Sequence, residues 1–269
     1  MTAYIPDNIW SLPAAARQLT APRSQAVAEL HDPRVNEALA LRCCAQYRNA
    51  FRCAAVSYPA DVLRFEESAE WIRRHGVAVV VDDIDGLSLA LAAGVVPERI
   101  IMHTSDLAVD AMARAVEAGV GRIVITSLAQ AGILTGAAAH RRRVLVDVTD
   151  VPAADTDTLV ATVIAGGGLD LIGVHRRLCS DDDGWVAVRA VIAAMRGISQ
   201  RHRIIPARLS LGDVDAADWG CASTDLPAIA GALDDAVEDG CIVGRFPSPA
   251  VNVSPSCMTL MPYGGPRAG

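Results

Sequence analysis

The stretch RIIMHTSDLAVDAMARAVEAGVGRIVITS, residues 99–127, holds two short apolar runs separated by one helical segment. The runs RIIMHT and RIVITS are apolar at successive positions, which is typical of strands buried on both faces of a parallel sheet. The segment between them has the 3.6-residue spacing of an amphipathic helix and ends in glycine. This order predicts a β/α unit.

The same alternation continues along most of the chain. From residue 51 onward, the apolar runs are RCAAVS, VAVVVDD, RIIMHT, RIVITS, RVLVDV, LDLIGVH, RLSLGD and CIVGRF. Eight such runs with helices between them predict an α/β fold, a closed (β/α)8 TIM-type barrel; an open doubly wound sheet is the alternative. We expect a single domain, with an N-terminal helical extension over 1–50, the barrel over 51–246 and an irregular, extended tail over 247–269.

Composition limits the functions that the chain can have. Hydrophobic residues make up 52% of the 269 residues and aromatic ones only 4%, so the core must be aliphatic. A net charge of −7 argues against nucleic acid as a partner. All 24 basic side chains are arginines, and the sequence contains no lysine. Because arginine stays protonated in proteins, no side chain of this chain can form a Schiff base.

The cysteines and the N-terminal residues bear on location. Seven cysteines occur without a CxxC pair, which predicts reduced thiols in a cytoplasmic protein. The start of the chain lacks the pattern of a signal peptide, and no apolar stretch is long enough to span a membrane. We therefore expect neither secretion nor a membrane partner.

Polar residues follow the predicted strands, where the active sites of such barrels lie. Candidates for acid–base or metal-assisted catalysis are His103, His175, Asp82, Asp147 and Asp213. Candidates for binding a carboxylate or phosphate are Arg176, Arg177 and Arg245. The alternative for each is structural, since loops are polar and aspartate caps helices. No HxxH or HExxH spacing occurs, so no metal site is predicted.

Two runs of like charge have simple structural interpretations. The run RRR, residues 141–143, leads into a strand, so it should lie at the opposite end of the barrel as a solvated basic patch. The run DDD, residues 181–183, should cap the helix that follows it.

Five landmarks in order resemble one enzyme family. Four of them are AAVSYP on A-V-K-A-N, GVHRRLCS on G-x-H-x-H-[IV]-G-S, LSLGDVD on L-x-x-GGG and IVGR on E-P-G-R. Together with residues 90–134, they make the chain similar to fold type III PLP-dependent decarboxylases of the diaminopimelate and ornithine group. These enzymes join an alanine-racemase-like barrel to a C-terminal β-domain that carries a catalytic cysteine and a tyrosine. The resemblance covers about residues 30–260 and stops where that β-domain would begin, so we expect the β-domain to be missing.

The departures from the family fall on the coenzyme site. The resemblance puts Ser57 at the Schiff-base lysine, Arg177 at the ring-stacking histidine, Asp213 within the phosphate-binding glycines and Ile242 at the glutamate that pairs with the pyridine nitrogen. The family residues that remain are His175, Ser180, Gly212, Gly244 and Arg245. Since attachment, stacking, phosphate binding and electronic tuning are all affected, we expect no cofactor, and PLP in particular to be absent.

Several functions remain open. The first is a pseudoenzyme, a decarboxylase-like barrel that binds a small anionic or amino-acid-like ligand or acts as a regulatory module. The second is a PLP-independent enzyme that uses aspartate and histidine at the barrel mouth. The third is a non-catalytic subunit that resembles an amino-acid decarboxylase only in sequence. Because the family builds its active sites between subunits, a homodimer or a heteromer with a full-length homologue is a further expectation.

Overall fold

The computed structural model describes residues 33–103, 109–137 and 141–260. Eight parallel strands form one closed barrel in which each strand pairs with the next along the chain. The first strand also pairs with the last, Ala55 opposite Asn252, and this pairing closes the sheet. The TIM-type barrel predicted from the alternating pattern is confirmed.

The elements follow the expected order. The strands are β1 (Ala55–Pro59), β2 (Ala78–Val81), β3 (Ile100–His103), β4 (Arg122–Ile125), β5 (Arg142–Asp147), β6 (Leu169–Arg177), β7 (Arg208–Gly212) and β8 (Ala250–Val253). The helices are α1 (Pro33–Ala50), α2 (Glu66–His75), α3 (Ile84–Ala92), α4 (Val109–Glu117), α5 (Leu128–Ala137), α6 (Ala153–Ala165), α7 (Gly184–His202), α8 (Leu226–Gly244) and α9 (Cys257–Leu260). None of these helices combines the length and the apolar character needed to cross a bilayer.

The eighth strand does not lie where the sequence analysis places it. Residues 241–244 are the last turn of α8, which ends when Arg245 adopts the left-handed conformation at φ 46°. Cys241 is buried there, but Ile242 and Val243 are 67% and 66% exposed, so this apolar run is a helix end and not a strand. The barrel therefore extends beyond residue 246, and part of the predicted tail is β8.

The predicted N-terminal helix is α1, and it shares the core of the barrel. Tyr47 and Phe51 are buried and lie 4.5 Å apart between ring centroids. The hydroxyl of Tyr58 on β1 donates a hydrogen bond to the carbonyl of Cys44 at 2.6 Å. Burial of these rings attaches α1 to the outside of β1, so the helix is not a separate unit.

Side-chain alternation along the strands divides the core into two parts. Outward-facing residues such as Val79 and Met102 pack against the helices. Inward-facing residues form a separate small aliphatic cluster, namely Ala78, Val80, Ile101, Val124 and Leu145. Polar inward side chains lie above this cluster, at His175 and Ser210, and below it, at Arg122 and Arg208.

Aspartates cap three of the helices. Asp183 accepts a hydrogen bond from the backbone N–H of Val186 at 3.1 Å, as the run DDD predicts. Asp83 and Asp225 cap α3 and α8 in the same way. These residues satisfy amide groups that the first helical turn leaves unpaired.

Candidate functional site

A cavity of about 150 Å³ opens at the carboxyl ends of the strands. We call it the mouth cavity. It is lined by Ser57, Pro59, Val80, Asp82, His103, His175, Arg177, Ser210, Gly212, Asp213, Ser254 and Pro255. Its position agrees with the general location of active sites in such barrels.

Two histidines form the inner wall of the mouth cavity. The rings of His103 and His175 lie edge to face, with centroids 4.4 Å apart and planes at 75°. Nδ1 of His175 lies 3.1 Å from the hydroxyl of Ser210. Nε2 of His175 is buried and has no hydrogen-bond partner among the described residues. An unpartnered ring nitrogen at a cavity wall is available to a bound molecule.

The surroundings keep both rings neutral. Burial, together with His103 and Arg177, holds the pKa of His175 well below its usual range. Burial also lowers the pKa of His103, although Asp82, whose Oδ1 is 3.7 Å from Nδ1, opposes this effect. Neutral imidazoles can each accept and donate one hydrogen bond, but neither ring supplies a positive charge.

Charged groups of both signs lie close together at the rim of the mouth cavity. Arg177 lies between two carboxylates, 3.5 Å from Asp82 and 3.6 Å from Asp213. Burial raises the pKa of Asp213, and Arg177 acts in the opposite direction. The rim thus offers one guanidinium and two carboxylates, a set that complements a ligand with both an ammonium and a carboxylate group.

Four of the five predicted acid–base residues meet in the mouth cavity: Asp82, His103, His175 and Asp213. Asp147 lies just outside it, and its carboxylate accepts a hydrogen bond from the backbone N–H of Thr149 at 2.7 Å. Its negative charge acts on His103 in the direction of a higher pKa, against the larger effect of burial, which lowers that pKa. Four residues predicted from the strand ends therefore line one cavity, and their roles remain predictions.

The three arginines predicted to bind a carboxylate or phosphate do not lie at one site. Arg176 points away from the barrel interior and pairs with Asp182 at 2.9 Å. Arg245 follows α8, and because α8 leads into β8, this arginine lies at the end opposite the mouth. Only Arg177 lines the mouth cavity.

The positions at which the chain retains the family's residue are likewise divided between the mouth cavity and other parts of the barrel. Gly212 lines the mouth cavity, and Ser180 is exposed in the loop before α7. Gly244 belongs to the end of α8 together with Ile242. Since β8 ends at Val253, the position after the last strand is held by Ser254, which is followed by Pro255. Ile242 therefore lies at the end of a helix and not after a strand, so the expected place of the E-P-G-R glutamate at the mouth is not held by Ile242.

Three residues of the site have no counterpart in the sequence prediction. Ser210 sits between two leucines in β7, and its inward direction follows from the alternation in RLSLG. Asn252 lies on β8, the strand that the sequence analysis missed, and Ser254 directly follows that strand. The amide of Asn252 donates a hydrogen bond to Ser57 at 3.0 Å, so Asn252 is held next to a residue that lines the mouth cavity without lining that cavity itself.

The residues present do not fit covalently bound PLP. Ser57 is fully buried, and its hydroxyl is engaged by Asn252 and by the carbonyl of Val253 at 3.4 Å. Asp213 keeps the left-handed backbone that glycine favours, at φ 52°, but adds a carboxylate where a phosphate would lie. The cavity is also smaller than the roughly 300 Å³ at which pockets for drug-sized ligands begin.

A metal centre finds no support in the described ranges. No group of three or more histidine, cysteine, aspartate or glutamate side chains there is arranged to hold an ion. His103 and Asp82 are only two such groups, and His175 directs Nδ1 at a serine.

The chain matches no sequence profile of a known protein family. It is similar to diaminopimelate decarboxylases. That of Mycobacterium bovis is 30% identical over 185 residues, which cover 58% of this chain and 41% of the relative. That of Actinosynnema pretiosum subsp. auranticum is 24% identical over 233 residues, which cover 78% of this chain and 53% of the relative. The chain spans about half the length of these curated relatives.

Solved structures share the barrel. The diaminopimelate decarboxylase of M. jannaschii superimposes with a TM-score of 0.70 at 12% identity, over 84% of this chain and 60% of the other. The lysine decarboxylase of Selenomonas ruminantium gives a TM-score of 0.67 at 16% identity, over 81% and 59%. Identities this low show the fold alone. With the sequence relatives, they confirm the resemblance to the barrel of fold type III PLP decarboxylases.

Proposed function

We propose that this decarboxylase-like barrel does not use PLP and instead binds a small amino-acid-like ligand in the mouth cavity. The observation that carries the proposal is Ser57, buried and hydrogen-bonded at the position of the Schiff-base lysine in a chain without lysine. The relatives named as diaminopimelate decarboxylases suggest an ancestral amino-acid site. A pseudoenzyme that keeps such a site without its coenzyme is consistent with the mouth cavity.

The size of the mouth cavity supports a ligand of few atoms. Since a water molecule occupies about 30 Å³, a cavity of about 150 Å³ has room for roughly five water-sized groups. Glycine has five non-hydrogen atoms and alanine has six. Larger amino acids would have to extend beyond the rim.

The charges of the mouth cavity support a zwitterion. A ligand carboxylate would pair with Arg177, and a ligand ammonium would pair with Asp82 or Asp213, which now neutralise that arginine. The unpartnered Nε2 of His175 would supply one further hydrogen bond. A simple anion is less well matched, because it would face two carboxylates.

NMR titration tests the proposal. The ring signals of His103 and His175 are followed while glycine, alanine, acetate or ethylamine is added. We expect saturable shifts with glycine or alanine and weaker ones with acetate and ethylamine, which carry a single charge. Arg177→Met should weaken binding at least tenfold, whereas Arg189→Met, which breaks a similarly exposed ion pair with Asp239, should not. Unchanged ring signals at millimolar amino acid would contradict the proposal.

A second candidate is acid–base chemistry without PLP, favoured by the convergence of Asp82, His103, His175 and Asp213 on one cavity. A neutral His175 with a free Nε2 is in a protonation state that accepts a proton. Exchange of the α-proton of alanine in deuterated water, followed by NMR, tests this candidate. Exchange that His175→Asn abolishes would favour an enzyme, and absence of exchange would favour a binding module.

Assembly and location complete the proposal. Pairing with a second copy or with a full-length homologue follows the resemblance, and light scattering would separate such a dimer from a 28.2 kDa monomer. The six cysteines whose side chains are described are free thiols, which suits a reducing compartment such as the cytoplasm.

A further inference from the structure

A second and larger cavity lies at the opposite end of the barrel, where the strands begin. Its volume is about 600 Å³, four times that of the mouth cavity. We call it the basal cavity. Its basic lining residues are Arg48, Arg52, His75, Arg99, Arg122 and Arg208, and none of the aspartates and glutamates that the structure describes lines it.

The barrel geometry brings three of these arginines together. Strand side chains alternate, so a residue two positions before an inward-facing one also faces inward. Arg122 precedes the inward Val124 in this way, and Arg208 precedes Ser210. Arg99, directly before β3, precedes Ile101. Their convergence follows from strand register and is not an accident of loop conformation.

The charges of the basal cavity are not neutralised within the described part of the chain. None of its five arginines lies within 4.0 Å of a carboxylate there, although seven arginines elsewhere form eight such pairs with aspartate or glutamate. Arg99 donates to the carbonyl of Gly76, Arg52 donates to that of Asn49, and Arg48 stacks over Trp71. In a protein of net charge −7, five guanidinium groups thus surround one cavity without an ion pair to any carboxylate of the described ranges.

Arg122 carries a half-buried guanidinium on which neighbouring positive charges act. Burial lowers the pKa of this guanidinium, and the charges of Arg208, Arg143 and Arg99 lower it further. Because arginine does not release its proton in proteins, such crowding favours the binding of a counter-charge.

We propose that the basal cavity binds a phosphate-bearing polyanion with at least two negative charges. Guanidinium groups bind phosphate oxygens in pairs, and several of them around one space favour a ligand with several such oxygens. A volume of about 600 Å³ lies within the 300–1,000 Å³ usual for small-ligand sites. This site is independent of the mouth cavity and of any reaction there.

Calorimetric titration of the full chain at physiological ionic strength tests the site. The probes are orthophosphate, pyrophosphate and tripolyphosphate, with sulfate as a control anion. We expect one saturable site whose affinity rises from orthophosphate to pyrophosphate. Arg122→Gln and Arg208→Gln should each lower pyrophosphate affinity at least tenfold, whereas Arg114→Gln, an exposed arginine on α4, should leave it unchanged.

Two further measurements test the basal cavity even if one of the arginine variants does not fold. Pyrophosphate should raise the melting temperature of the unaltered chain, which requires no variant to fold. Arg48→Gln should also weaken pyrophosphate binding. Because Arg48 lies outside the sheet, this variant serves as the test if a strand variant fails to fold. The proposal is overturned if pyrophosphate binds no better than sulfate, if its affinity is equal in Arg114→Gln and Arg122→Gln, or if it does not shift the melting temperature.

Discussion

The side-chain amide of Asn252 on β8 donates a hydrogen bond to the hydroxyl of Ser57 on β1, at 3.0 Å. Ser57 lines the mouth cavity, and Asn252 lines the basal cavity. One buried hydrogen bond between the first and last strands therefore lies between the two cavities, and its partner on β1 is the residue that the resemblance puts at the Schiff-base lysine.

Removing this hydrogen bond should reveal coupling between its partners. Ser57→Ala, Asn252→Ala and the double variant form a cycle in which the free energy of unfolding is measured with denaturant. We expect a coupling energy of about 1 kcal/mol, the usual net value of one buried hydrogen bond. Additive effects of the two substitutions would mean that the contact does not contribute.

Acidification should destabilise the protein through its buried histidines. The pKa of His175 is well below its usual range in the folded chain, so as pH falls through about 6.5 only the unfolded chain takes up this proton. Between pH 7 and pH 5 this should cost about 2 kcal/mol of unfolding free energy, with a similar trend from His103.

The variant His175→Gln should lose that part of the pH dependence, whatever its stability at pH 7. His75→Gln, which replaces an exposed histidine on α2, should keep it. Denaturant midpoints at the two pH values measure the difference. Equal pH dependence in the unaltered chain and in His175→Gln would refute the assignment.

Loss of Arg177 should alter electrostatics more than stability. Its ion pairs are half exposed, so Arg177→Met should change the free energy of unfolding by less than about 1 kcal/mol. The pKa of Asp213 should rise, because Arg177 is the group that lowers it. Carboxyl NMR titration checks this, and Arg189→Met should leave the pKa of Asp213 where it was. A fall in that pKa in Arg177→Met would contradict the geometry of the rim.

Two glycines should respond oppositely to alanine. A Cβ at Gly173 on β6 would lie 2.0 Å from the backbone carbonyl oxygen of Arg208, so Gly173→Ala should cost at least about 3 kcal/mol. Gly231 on α8 is exposed with open space around it, and Gly231→Ala should stabilise by about 0.5–1 kcal/mol. Thermal unfolding compares them, and a tolerated Gly173→Ala would show that the β6–β7 spacing is wrong.

The sequence predicted seven strands and missed the eighth for a physical reason. The run CIVGRF is apolar because α8 ends there with one buried side and two exposed aliphatic residues. The true strand, AVNV, carries an inward asparagine and lies between prolines, so it lacks an apolar pattern. Because the inward side of this strand is polar, the search for apolar runs did not detect the strand that closes the barrel.

The candidate site was predictable only in part. His103 and His175 could be placed at the mouth because strand ends carry function. Their partner Ser210, the orientation of Arg176 and the convergence of Arg122 with Arg208 depend on strand register, which apolar runs alone do not determine. The run RRR did mark the basic end of the barrel, and the structure adds that several arginines there share a cavity.

The most direct measurement is the mass of the intact protein after incubation with PLP and reduction by borohydride, with the diaminopimelate decarboxylase of Mycobacterium bovis treated in parallel. We expect the lysine-free chain to gain no mass on any side chain, with peptide mapping used to set aside an adduct on the α-amine. Assayed with PLP before the reduction, it should release no carbon dioxide from diaminopimelate, ornithine or lysine, whereas the parallel enzyme should release it from diaminopimelate. A stoichiometric reduced adduct within the barrel, together with turnover of one of these amino acids, would contradict the account.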